Sequence, residues 1–187
     1  MAVSGSTDTG DRLRTITGLS AGGAAVAAGL CWTVKAVAIL TTGHQPTILF
    51  ELAPLLMAIA VLGLGQQLPP GKPRIVASSV ATAALLASLG VLAGQVMPLP
   101  EVVYGIAIAS ANLLILVSLV TAGLSLRHHR NSYLPLGLGL TTIPALLIGG
   151  LAAEVLGERA LELPLAALCA TWVVLGVQLS LGRYRSC

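Results

Sequence analysis

Lys35 and Glu51 are ionisable residues inside apolar segments of a chain that otherwise keeps its charges out of them. A charge at membrane depth costs about 2.5–3.5 kcal/mol on insertion scales, so such residues are paired, functional or both. The two flank one tight turn, Thr42-Gly43-His44-Gln45-Pro46, which places them on facing helices at similar depth. At about 1.5 Å per residue, Lys35 lies about 10 Å from the end of its helix and Glu51 about 7–8 Å from the start of the next. The chemistry open to them is cation or proton binding, with Glu51 as the carrier and Lys35 as the charge beside it. The competing reading is a salt bridge that fixes the first hairpin. Trp32, one turn before Lys35, is placed to wall a ligand pocket or to pack as core. Pro54 interrupts the second helix, and Gln95 and Glu101 sit toward the same end of the bundle. Lys35, Glu51, Trp32, Pro54, Gln95 and Glu101 are the candidate substrate- or ion-binding residues, forming a polar, net-acidic vestibule that opens outward.

The elements that must hold these residues are membrane helices. Of 187 residues, 56% are hydrophobic and 9% charged, far below the roughly 25% charged residues of a soluble domain. Apolar runs long enough to cross the hydrocarbon core occur at 16–42, 46–66, 75–97, 102–126, 134–156 and 163–181. Proline-rich or polar breaks separate them. The alternation of a membrane β-barrel is missing, so the expected fold is an all-α bundle of six transmembrane helices. Residues 1–15 read as a short disordered tail, 16–182 as the membrane domain and 183–187 as a second tail.

Charge sidedness sets the expected orientation. Arg12, Arg14, Lys72, Arg74, Arg127, Arg130, Arg183 and Arg185 share one face, eight of the ten basic residues, whereas Arg159 falls on the other with Glu101, Glu154, Glu158 and Glu162. The positive-inside rule makes the first face, with both termini, cytoplasmic. On span one, Thr17, Ala21, Ala24, Ala28, Cys31 and Lys35 form one stripe, opposite Leu19, Val26, Leu30 and Val37. Small residues line helix interfaces in membranes, so Lys35 is expected to face protein. Spans two and five each carry a mid-helix proline, Pro54 and Pro144, followed by glycines. That pattern is compatible with two inverted three-helix halves around a midplane site.

Several functions are excluded or disfavoured. Scattered basic residues and a net charge of +3 do not make a nucleic-acid surface. Cys31, Cys169 and Cys187 form neither a CxxC motif nor a zinc pattern, and no metal or cofactor is expected. His128-His129 reads as a solvated basic loop, and His44 as a turn residue. No hydrolase, kinase or P-loop signature appears, and an enzyme, lipid-modifying or otherwise, is disfavoured. Two readings remain. One is a small transporter- or channel-like protein of a bacterial plasma membrane, the origin suggested by the preponderance of Arg over Lys and of Ala, Leu, Gly and Val. The other is a non-catalytic partner subunit or assembly factor. In either case the partners are the lipid bilayer and, through small-residue faces such as Gly18-x-x-x-Gly22 and Gly90-x-x-x-Gly94, another membrane protein or a second copy.

Overall fold

The computed structural model describes residues 6–44, 46–94, 97, 100–126 and 133–184, with the side chains of 6–16, 47–50 and 158 left aside. Six helices follow in order: α1 (Ser6–Thr42), α2 (Thr47–Gln67), α3 (Lys72–Ala93), α4 (Glu101–Ser125), α5 (Tyr133–Leu156) and α6 (Glu162–Ser180), with a 3-10 turn at Glu158–Leu161 leading into α6. Among the described residues there is no strand. Five of the helices have the length and apolar character of membrane spans, and α2 contributes a shorter apolar stretch, Glu51–Gln67. The chain is thus all-helical and has the make-up of a multi-pass membrane protein.

The breaks have local causes. α1 stops at Gly43, whose φ of 74° is in the left-handed region, and the Gly43 N–H closes the last turn on the Ile39 carbonyl at 3.0 Å. Pro73 stands in the first turn of α3, where its missing N–H costs nothing, and Pro100 precedes α4 with Glu101 in the first turn. The helices end within a few residues of the expected spans, except at the start. α1 runs back to Ser6, through the polar segment expected to lack regular structure. A formed apolar helix extends at one hydrogen bond per residue.

α1 packs against α2 and α6, α2 against α3 and α4, α3 against α4, and α5 against α4 and α6, so the helices close into a ring. The core is rich in alanine: Ala24, Ala25, Ala28, Ala58, Ala60, Ala77, Ala81 and Ala84 are buried, with Val61, Leu64, Leu119 and Leu175 among them. Small residues let backbones approach, and the approach is closest between α1 and α6. A Cβ on Gly22 would lie 2.6 Å from the Gly176 carbonyl oxygen, and one on Gly176 would lie 2.6 Å from that of Gly22. The outside is apolar as well. Leu19, Leu30 and Val37 on α1 and Leu147, Leu151 and Val155 on α5 are each half exposed or more. A surface of that kind is stable only against lipid.

A buried ionic cluster above a central chamber

The small-residue stripe of α1 turns Lys35 inward, and the residue is 5% exposed. Its carboxylate partner is on α6. Lys35 Nζ donates to Glu162 Oε1 at 3.4 Å, and Glu162 is 4% exposed. The contact clasps α1, about two turns before its end, to the first turn of α6, where the Glu162 carboxylate sits at the favourable end of the helix dipole. Trp32 adds a second contact, with Lys35 Nζ 5.2 Å from the centre of its ring. Glu162 Oε2 is buried and has no hydrogen-bond partner among the described residues.

Glu51, 3% exposed, is held separately. The Tyr104 hydroxyl on α4 donates to Glu51 Oε1 at 2.8 Å. The salt bridge expected across the first hairpin is therefore not the ion pair of the structure. Lys35 looks toward α6 and Glu51 toward α4, because α1 and α2 each have a second neighbour on the side where the charge projects. Arg159, on the turn before α6, places Nη1 3.5 Å from the Leu40 carbonyl oxygen and so covers one of the unpaired carbonyls ending α1.

Below this cluster, about one helical turn and more from Lys35, lies a chamber of about 230 Å³. Its walls come from five helices: Trp32 of α1, Pro54 and Met57 of α2, Asn112, Ile115 and Leu116 of α4, Thr142 and Leu146 of α5, and Leu165, Leu168, Cys169 and Trp172 of α6. The charged groups of the cluster are not in that wall. Asn112 and Thr142 each donate one hydrogen bond locally, to the Ile108 carbonyl at 2.9 Å and the Leu138 carbonyl at 2.6 Å. The Trp32 indole N–H is different: it is buried and meets no acceptor among the described residues.

Of the six candidate site residues, Trp32 and Pro54 line the chamber, and Lys35 and Glu51 are buried toward the α1–α2 turn. Glu101 is exposed at the start of α4, and Gln95 lies outside the described residues. His128 and His129 lie outside them too. Glu162 and Tyr104 were missed. Both stand near the ends of apolar spans, and each contact joins residues distant in sequence, 127 and 53 positions apart. Helical phase alone says nothing about such pairings. Pro54 and Pro144 also differ in role, since Pro54 is buried in the chamber wall and Pro144 is exposed. Among the described residues no trio of His, Cys, Asp and Glu is placed to hold a metal ion. No family model matches the chain, and neither a curated protein nor a solved structure matches it.

Proposed function

We propose that this membrane protein is a small-solute transporter. The chamber is its substrate site, and the Lys35–Glu162 and Glu51–Tyr104 contacts close the chamber toward the outside. The observation that carries the reading is the chamber itself. It is lined by five helices, among them α2, which carries Pro54 in the wall, and α5, whose residues on either side of Pro144 complete it. Proline removes one N–H from the helix ladder, freeing the carbonyl of residue 50 in α2 and of Leu140 in α5. Helices whose hydrogen-bond ladder is weakened by proline beside a cavity are suited to a moving gate. By the positive-inside rule both termini face the cytoplasm of a bacterial cell, and the ionic cluster faces out.

Side-specific labelling tests this without knowledge of the substrate. Asn112→Cys and Thr142→Cys are made separately on a background in which Cys31, Cys169 and Cys187 are replaced. Vesicles of known orientation are then treated on one side at a time with a charged, membrane-impermeant methanethiosulfonate. A transporter that alternates between two states exposes both positions to each side. Reactivity from neither side, or from one side only under every condition, overturns the proposal and returns the partner-subunit reading.

A further inference from the structure

Chamber chemistry differs from that of the cluster above it, and the geometry points to an uncharged occupant: a compact, mainly apolar molecule of about ten heavy atoms with one hydrogen-bond acceptor, received by the Trp32 indole N–H. This rests on the chamber being a substrate site. The size follows from volume. A cavity of 150 Å³ lined by aliphatic and aromatic groups takes up benzene, so one of about 230 Å³ has room for a molecule roughly half as large again.

Charge follows from the walls. Lys35, Glu51 and Glu162 all lie outside the lining, so an ion in the chamber would lose its hydration and meet no opposite charge there. Polarity follows from the donors. One Asn112 amide N–H and the Thr142 hydroxyl are committed to carbonyls of their own helices, and the Trp32 N–H is the fully buried donor of this wall without an acceptor among the described residues. A trapped water is a poor substitute, because it needs two to four polar partners and this wall is chiefly Met, Leu, Ile and Trp. Trp32 also lies under the Lys35 ammonium, a contact that holds the ring at the chamber wall.

The chain has two tryptophans, Trp32 and Trp172, and both line the chamber, so its intrinsic fluorescence reports occupancy directly. Full-length protein in lipid nanodiscs is titrated with three probes of one shape. Camphor is neutral with an acceptor, bornane is neutral without one, and bornylamine is a cation. Each titration is referenced to Leu165→Phe protein, in which the chamber is partly filled, so that partitioning into lipid cancels. Camphor is expected to change the emission saturably and to bind about two- to tenfold more tightly than bornane, the worth of one net hydrogen bond. Trp32→Phe should bring camphor to the level of bornane measured in the same variant, read from the remaining Trp172.

Bornylamine binding more tightly than camphor overturns the inference in favour of a cation site at the carboxylates. No saturable camphor signal, or a camphor affinity indifferent to Trp32→Phe, also overturns it. The two proposals fail separately. Camphor binding without two-sided labelling refutes transport and leaves the ligand class standing, and two-sided labelling without camphor binding does the reverse.

Discussion

Breaking the Lys35–Glu162 pair from one side should cost far more than removing it whole. At 3.4 Å and an effective dielectric of about 20, two unit charges attract by about 5 kcal/mol. Most of that attraction offsets the desolvation of two nearly inaccessible groups, so the net worth of the intact pair against apolar neighbours is small. Lys35→Met leaves Glu162 as a buried carboxylate without its counter-charge and also forfeits the contact with Trp32, itself worth about 0.5–2 kcal/mol. The expected loss is about 3–5 kcal/mol. Glu162→Gln keeps the shape but leaves the ammonium facing a neutral amide, with a loss of about 2–4 kcal/mol on the same reasoning. The double variant Lys35→Met/Glu162→Gln should fall only about 1–3 kcal/mol below the parent, because neither member remains as an unmatched charge. A four-protein cycle of reversible unfolding in mixed micelles, driven by added dodecyl sulfate and followed by far-ultraviolet circular dichroism, measures all three. Single effects that add to within about 0.5 kcal/mol would mean that the two groups are solvated independently, and the clasp between α1 and α6 would be refuted.

Two further outcomes follow from the packing and from the chain end. Gly176→Ala drives a Cβ to 2.6 Å from the Gly22 carbonyl oxygen and should destabilise by roughly 1–3 kcal/mol in the same assay. Gly150→Ala, whose Cβ meets nothing within 4 Å, should instead be neutral or stabilising by up to about 1 kcal/mol; equal effects at the two sites would refute the close α1–α6 approach. Burial holds the phenol of Tyr184, which follows α6 and donates to Gln178 Oε1 at 2.6 Å, above its ordinary range, with Arg183 opposing weakly. The folded protein then keeps a proton that the unfolded chain has lost, so stability should fall as pH rises past about 10. Chemical unfolding at pH 9 and pH 11 should show that fall in the parent and a shallower one in Tyr184→Phe; parallel slopes would refute it.

What the sequence made legible is what helical phase and hydropathy encode. The six helices, the turn at Gly43 and the inward face of Lys35 all follow from where apolar and small residues recur along one helix. The partners of the charges do not, because phase says which way a side chain points from its own axis and nothing about which helix stands there. Lys35 points at α6, whose neighbour relation to α1 closes the ring between the two ends of the chain. A carboxylate across a three-residue turn was the nearer candidate by sequence, yet Glu51 is directed to Tyr104 on α4. The chamber was illegible for another reason. It is a shortfall of packing among five helices, and no segment carries a pattern for a volume that side chains fail to fill.

That shortfall has a physical origin in how unevenly the helices approach one another. At Gly22 and Gly176 the backbones of α1 and α6 nearly touch, and a Cβ on Gly29 would lie 2.7 Å from the Cys169 carbonyl oxygen. α2 also comes close to α1, since a Cβ on Gly63 would overlap the side chain of Ala21, and α4 meets α5 at Gly123, where a Cβ would lie 2.7 Å from the Leu136 backbone nitrogen. With α1, α2 and α6 pulled together on one side, α5 touches α6 and α4 but has no comparable contact with α1 or α2. Wide side chains occupy the same layer: Trp32 and Trp172 from the tight pair, Met57 from α2, and Ile115 and Leu116 from α4. Small residues in one layer and large ones in the next thus hold the chamber open, and the Lys35 ammonium over the Trp32 ring ties its wall to the ionic cluster.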